Sequence, residues 1–296
     1  MKIAVLSDIH GNYKALQKCL KHAEAQNIDV YFFLGDYIGE FPYPQKTMKM
    51  LYDMREKYQC FFIKGNKEDY WINRRKDIHC DWKNGNHSIG AMIYCYENLT
   101  SKDIDFFETL PIYESIQFDD TKPILLCHGT PISNRGKLLS DDEKTREVVN
   151  EYSEQYIVCG HTHIQQLVLN AEKTVLNAGA VGVPLHSKMK TQYMILNSDG
   201  QEWKYEFISL DYDVDSVIEE MHESGLWDIA PYWCRITEHL LYTGESSHGT
   251  ILNEAMRLNE YKDSWYNIPE MYWDKALRMF GIEIRNSRKR NLKKVP

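Results

Sequence analysis

Five short apolar runs in this chain end in the same way. IAVL (3–6) runs into SDIHGN, VYFFL (30–34) into GDYIG, CFFI (60–63) into KGN, ILLC (124–127) into HG, and YIVC (156–159) into GHTH. Four or five apolar residues without polar alternation suit strands covered on both faces. TVLNA (174–178), YMIL (193–196) and the alternating EWKYEFISL (202–210) read as further strands. Helical stripes lie between them: Leu16, Cys19, Leu20 and Ala23 at i, i+3, i+4, i+7, and a weaker one through Met48, Leu51 and Met54. This alternation predicts an α/β layered domain with a largely parallel or mixed sheet.

After residue 210 only helical patterns remain. VDSVIEEMHESG closes on Gly225, DIAPYWCRITEHLLYTG on Gly244, and PEMYWDKALRMFG on Gly281, with SHGTILNEAMRL between them. The expected organisation is a domain over 1–210, a Trp- and Tyr-rich helical appendage packed on it over 211–282, and a basic, disordered tail over 283–296. That tail holds Arg285, Arg288, Lys289, Arg290, Lys293 and Lys294. Short charged termini are usually untethered, so it reads as solvated.

At 296 residues the chain can bury a large core. Its net charge of −8 disfavours a nucleic-acid binder held by phosphate contacts. Seven cysteines, with no CxxC pair, argue against both a disulfide framework and a zinc ribbon. The start MKIAVLSDIHGN lacks the h-region of a signal peptide, and no apolar stretch approaches the roughly 20 residues of a membrane span. A cytoplasmic location, away from membranes, is the expectation.

Each of the five apolar runs delivers a nitrogen or oxygen donor, flanked by glycine, to the carboxyl end of a buried strand, the edge where open α/β sheets bind ligands. Gathered there, Asp8, His10, Asp36, Asn66, His128, His161 and His163 form the donor set of a two-metal site. Two dications need a bridging carboxylate, and Asp36 is the expected bridge. The spacings Asp8-x-His10 and His161-x-His163 would send both side chains of each pair from one side of an extended segment. Mixed oxygen and nitrogen donors without thiolate favour Mn, Fe, Co, Ni or Zn over Ca, without choosing among them.

DIHGN, GDYIG, GN, a lone HG and GHTH, in that order and each after a strand, resemble the calcineurin-like metallophosphoesterase superfamily. NAGAVGVP (177–184) is similar to another of its segments. The resemblance spans about residues 1–210 and looks closest to the YfcE-like and archaeal phosphodiesterase-like branch. It implies a four-layer β-sandwich of two mixed sheets flanked by helices, here with a C-terminal α-helical appendage. One metal would take Asp8, His10, Asp36 and His163, and the second Asp36, Asn66, His128 and His161. Asp36, His128 and Asn66 are then the expected catalytic residues. The helical tail makes the layout look most like bacterial enzymes that hydrolyse diadenosine polyphosphates and activated phosphodiesters.

Where many members carry a general-acid histidine after GN, this chain has Lys67. Lysine, with a pKa of about 10.4, is a poor acid. Lys67 reads either as a phosphate-binding cation or as a solvent-facing loop residue. Without a good acid the leaving group departs unprotonated, which favours phosphoanhydrides and activated diesters over alkyl monoesters. The expected substrate is a small phosphorylated molecule, foremost a dinucleoside polyphosphate such as diadenosine tetraphosphate, cleaved by in-line attack of water activated between the metals.

Asn12, Lys67 and Arg135 are candidate substrate contacts, with Lys137 beside Arg135. Against this, Asn12 also reads as a turn asparagine. Tyr37, Tyr70, Trp71, Tyr232, Trp233 and Trp265 could stack a base, although aromatics at helical spacing more often belong to a core. His22, His79, His87, His186, His222, His239 and His248 have no partner at ligand spacing and read as structural or surface residues. Cys127 and Cys159 read as buried small hydrophobes. Alternatives are a cyclic-nucleotide phosphodiesterase, a protein phosphatase, and a non-catalytic scaffold on the same fold, against which the complete ligand set argues.

Overall fold

The computed structural model describes residues 1–77, 82–83, 85–119, 121–140, 142–170, 172–198, 200 and 202–282. His79 and the basic tail over 283–296 lie outside the described residues. Ten strands and eleven helices are described. The first half of the layered part runs β1 (Lys2–Leu6), α1 (Tyr13–Ala25), β2 (Val30–Phe33), α2 (Pro44–Lys57), β3 (Gln59–Phe62), α3 (Asn66–Arg75), α4 (Gly90–Glu97) and α5 (Ser101–Thr109). Its second half runs β4 (Tyr113–Ile116), β5 (Ile124–Cys127), α6 (Glu143–Asn150), β6 (Tyr156–Cys159), β7 (Gln165–Asn170), β8 (Lys173–Ala178), β9 (Lys190–Ser198) and β10 (Trp203–Asp211). The helices α7 (Val214–Glu223), α8 (Leu226–Ile229), α9 (Pro231–Thr243), α10 (His248–Leu258) and α11 (Glu270–Met279) follow.

Two five-stranded sheets form, in the orders β10-β9-β1-β2-β3 and β4-β5-β6-β8-β7. Strands β1, β2 and β3 are parallel, as are β5, β6 and β8, while β9, β10, β4 and β7 pair antiparallel. The apolar runs lack alternation because each strand face meets a different layer. Ile3, Val5, Val30 and Phe32 pack between the sheets against Ile124, Leu126, Tyr156 and Val158. Ala4, Leu6, Tyr31 and Phe33 turn the other way, onto Leu16 and Leu20 of α1 and Met48 and Leu51 of α2. Leu125, Cys127, Ile157 and Cys159 meet Val149 of α6 on the far side. The result is a helix–sheet–sheet–helix stack, with Cys127 and Cys159 buried as small hydrophobes.

Helices α7 to α11 bury a further apolar cluster around Trp233 and Trp273, which takes in Phe41, Ala91 and Val183 from the layered part. Ser88 anchors this packing. Its Oγ accepts a hydrogen bond from Trp273 Nε1 at 2.7 Å, and its carbonyl accepts one from Trp233 Nε1. At Gly90 the α8 backbone comes so close that a Cβ would lie 1.7 Å from the Ile229 carbonyl oxygen. Trp273 is fully buried, and truncating such a side chain costs about 3–5 kcal/mol. Gly244 ends α9 in the left-handed conformation and its carbonyl accepts from the His186 N–H at 2.8 Å, fixing α9 against the loop after β8. Among the described residues no helix is long and apolar enough to cross a membrane.

Candidate metal centre

Because β1, β2 and β3 run parallel, as do β5 and β6, and the two sheets stack, the five strand ends open onto one edge. Asp8 and His10 lie in the β1–α1 loop, Asp36 follows β2, Asn66 is the first residue of α3, His128 follows β5, and His161 and His163 follow β6. The loops are not the extended segments that the x-spacing suggested. Asp8, His10, Asp36, His161 and His163 have φ of 55°, 55°, 53°, 66° and 61°, a left-handed conformation that costs a side-chain-bearing residue about 1–2 kcal/mol. The left-handed turns place alternate donors where an extended strand would not.

Cross-loop hydrogen bonds hold these turns. Asp8 N–H donates to the Gly35 carbonyl at 3.1 Å, and His10 N–H to the Asp36 carbonyl at 2.8 Å. The buried Glu68 carboxylate accepts from the N–H groups of Gly65, Tyr37 and Asp36 at 2.8, 2.9 and 3.0 Å, tying the β2 and β3 loops together. Gly65 is required at this crossing: a Cβ there would lie 2.3 Å from both the amide nitrogen and Oδ1 of Asp36.

The side chains converge on two adjoining groups, Asp8–His10–His163 and Asp8–Asp36–His128. Asp8 Oδ1 lies 3.2 Å from His163 Nε2, 3.7 Å from His10 Nε2 and 3.9 Å from His128 Nε2. Asp36 faces both sides, with Oδ2 3.7 Å from His10 Nε2 and Oδ1 3.5 Å from His128 Nε2. Asn66 Oδ1 lies 3.3 Å from His128 Nε2. The His161 ring packs edge-on against His128 at 5.1 Å between centroids, while its N–H donates to Asp8 Oδ2 at 2.9 Å. His163 thus belongs to the first group, while His161 belongs to neither and meets His128 of the second through its ring.

Backbone carbonyls set the tautomers of two of the imidazoles. His128 Nδ1 faces the Leu34 carbonyl at 2.7 Å and His163 Nδ1 the Val183 carbonyl at 3.1 Å. A carbonyl only accepts, so Nδ1 carries the proton and Nε2 offers its lone pair to the centre. The third ring, His10, has Nδ1 2.5 Å from Glu40 Oε2. Burial alone would raise the Asp8 pKa, but His163 and His128 outweigh it and hold the carboxyl well below its usual range. His10 is opposite in sign: burial would lower its pKa, yet Glu40 and Asp8 push it up to about 10. Asp8 Oδ1 is buried with no hydrogen-bond partner among the described residues. A buried carboxylate oxygen left over, beside the Nε2 lone pairs of His128 and His163 and a second carboxylate, fits a divalent transition metal.

A cleft of about 670 Å³ opens over this edge. Lys67 enters it from the first turn of α3 and is not a solvent-facing loop residue: its side chain is 15% exposed, and Nζ sits 2.5 Å from Glu40 Oε1. Burial would lower its pKa, but Glu40 and Asp36 outweigh that and hold the ammonium charged. Glu40 was not identified from the sequence as a site residue, and its only signal there was an acid four positions after Asp36 inside a glycine-rich block. His248 was read as structural or surface, yet it lines the cleft, stacked on Trp233 at 5.1 Å and bonded through Nε2 to Thr237 Oγ1 at 2.8 Å. Burial pushes it down to about 3, so it is neutral.

Several expected contacts fall elsewhere. Asn12 caps α1: Oδ1 accepts from Ala15 N–H, and Nδ2 donates to the Gly182 carbonyl and the Tyr212 hydroxyl, which uses its amide completely. Arg135 lies outside the cleft lining, its guanidinium on the Tyr70 ring and Nη1 bonded to the Tyr70 hydroxyl, whereas Lys137 does line the cleft. Tyr37 is fully buried and donates to core carbonyls, so it stacks no ligand. Tyr232 is buried against Trp273, while Tyr70, Trp71, Trp233 and Trp265 reach the cleft wall.

Several known proteins are similar to this chain. Residues 1–201 match the family model of the calcineurin-like phosphoesterase superfamily domain. An uncharacterized protein of Methanocaldococcus jannaschii is 26% identical over 248 residues, covering 78% of this chain and 94% of that one. A PP2A-like serine/threonine-protein phosphatase of Candida albicans is 29% identical over 129 residues, 43% of this chain and 28% of the phosphatase. Among solved structures, a hypothetical protein of Pyrococcus horikoshii superposes with a TM-score of 0.70 at 19% identity, covering 83% of this chain and 99% of that one. A metallophosphoesterase of Sphaerobacter thermophilus superposes with a TM-score of 0.63 at 20% identity, covering 83% and 100%. These two similarities show the shared fold.

Proposed function

The chain belongs to the calcineurin-like phosphoesterase superfamily, and from that premise we propose that it hydrolyses phosphoanhydride or activated phosphodiester bonds in small nucleotides, dinucleoside polyphosphates such as diadenosine tetraphosphate foremost. The superfamily implies a metal-dependent phosphoesterase. Asp8, His10, Asp36 and His163 would hold one divalent transition metal, and Asp36, Asn66, His128 and His161 the other, with manganese the first choice. When bound, such a pair neutralises charge on phosphoryl oxygens and lowers the pKa of water.

The observation that carries the substrate reading is the Lys67–Glu40 pair. In that pair Lys67 is a fixed cation at the cleft, suited to holding a phosphate oxygen and unsuited to giving up a proton. Glu40 keeps the ammonium in place, and His248, the nearby imidazole from α10, is neutral and so a poor general acid at neutral pH. A leaving group must therefore depart as its own stable anion. A nucleotide's terminal phosphate does so readily, with a second pKa of about 6 by analogy with phosphate esters, and an alkoxide does not.

A substrate panel under manganese tests the proposal. Diadenosine tetraphosphate and an activated aryl phosphodiester should turn over faster than a sugar monophosphate, a cyclic nucleotide or a phosphopeptide. Equal or faster turnover of the sugar monophosphate would overturn it.

A further inference from the structure

The cleft is larger than its metal-facing floor, and its far wall has a different chemistry. Pockets for drug-sized ligands run about 300–1,000 Å³, so 670 Å³ suits a whole nucleotide. The far wall is built by α10, the turn Trp265–Asn267 and the face of α3 that carries Tyr70. Helix α10 has two apolar stripes. Ile251 and Ala255 are fully buried in the helical cluster, whereas Leu252 and Met256, four residues apart and so on one face, are half-buried and line the cleft. Tyr70 and Trp265, both half-buried, complete this wall with ring centroids 5.8 Å apart and planes tilted by 56°. An apolar, aromatic surface continuous with a cluster of charged donors is a poor wall for water or for a bare phosphate.

We infer that this wall is a nucleobase subsite, in which Trp265, Tyr70, Leu252 and Met256 take the flat faces of the base and Asn253 reads its edge. The inference rests on the phosphoesterase reading above for the phosphate end of the ligand. Asn253 is exposed, lines the cleft between Leu252 and Met256, and its side-chain amide makes no hydrogen bond to another described residue. An amide offers both a donor and an acceptor, which matches the mixed edge of a purine. A lipid tail would find the aromatic pair but no use for the amide, and an inorganic phosphate would find neither. Lys67 and Lys137 also line the cleft, where they can accompany the phosphates that join the base to the metal centre.

Binding of adenosine monophosphate and of ribose 5-phosphate to the full chain with manganese, followed by calorimetry, separates base from phosphate. The wild-type protein should bind adenosine monophosphate about 10- to 100-fold more tightly, the range expected for one stacked base. Trp265→Ala should bring adenosine monophosphate down to the ribose 5-phosphate affinity, and Trp265→Phe should keep most of the preference. Asn253→Ala, at an exposed position where substitution costs little stability, should weaken adenosine monophosphate several-fold and leave ribose 5-phosphate unchanged. Equal wild-type affinities for the two ligands, or an unaltered preference in both Trp265→Ala and Asn253→Ala, would overturn the subsite. A preserved base preference in a protein that fails to hydrolyse diadenosine tetraphosphate would support the subsite and reject the proposed substrate.

Discussion

Lys67 Nζ lies 2.5 Å from Glu40 Oε1, and the other oxygen of the same carboxylate lies 2.5 Å from Nδ1 of His10. One buried acid therefore holds a metal-facing imidazole with one oxygen and the cleft's fixed cation with the other. Burial would raise its pKa, but His10 and Lys67 outweigh that and keep it well below the usual carboxylate range. Electrostatically, the cleft's fixed cation and the candidate metal centre are joined through a single side chain.

Glu40→Gln keeps the shape of that link and removes its charge. His10 loses the carboxylate that raises its basicity, so affinity for manganese should fall by about 10- to 100-fold. Competition with a chelator measures this without reference to turnover. An affinity within about twofold of wild type would show that Glu40 only packs beside His10.

Lys67→His restores an imidazole at the position where Lys67 now pairs with Glu40. A general acid contributes about 10²–10⁴-fold, and it helps most where the leaving group is worst. The rate on an alkyl monoester relative to an activated aryl diester should therefore rise by about 100-fold. An unchanged ratio would mean that residue 67 points away from the scissile bond during the reaction.

The sequence exposes the buried strands far better than the edges. ILLC and YIVC coincide with β5 and β6 because both faces of each strand meet apolar layers. β4 and β7 were missed: YESI is buried only at Ile116 and QQLVLN only at Val168, so neither shows a continuous apolar run. The donor set was legible because every donor follows such a strand. Left-handed φ at Asp8 and His10 was not, because nothing local marks a non-glycine residue for that conformation and the loops that impose it come from elsewhere in the chain. His248 was missed for the same reason, since its place on the cleft depends on how α10 packs against Trp233 of α9.

Asp36→Asn removes a charge that faces both donor groups while sparing the local geometry, because the amide oxygen can still accept the Lys67 N–H now bonded to Oδ1 at 2.8 Å. Metals at such sites supply several kcal/mol of charge stabilisation, and about 1.4 kcal/mol is tenfold in rate. A fall in kcat/KM of about two orders of magnitude or more should accompany reduced metal stoichiometry and an unaltered circular dichroism spectrum. Activity and metal content near wild type would refute Asp36 as the proposed bridge.

The last prediction concerns the frame behind the site. Asp103 closes the capping box of α5, accepting from Thr100 N–H at 2.7 Å and Thr100 Oγ1 at 2.6 Å, and ties α5 to α2 by accepting from Gln45 Nε2 and the Tyr52 hydroxyl, both at 2.7 Å. Burial would raise its pKa, but these hydrogen bonds outweigh it and hold the carboxyl below its ordinary value of 3.8. A depressed carboxylate stabilises the fold above the unfolded-chain value and loses that contribution as pH falls through the folded one. At neutral pH, Asp103→Asn should cost about 2 kcal/mol, from a weakened cap and weaker hydrogen bonds to a neutral acceptor. At acidic pH, below the depressed folded-state value, the wild-type carboxyl is itself protonating, and the gap should narrow. Urea unfolding of both proteins at the two pH values measures it. A gap independent of pH would mean that the Asp103 charge contributes nothing beyond its shape.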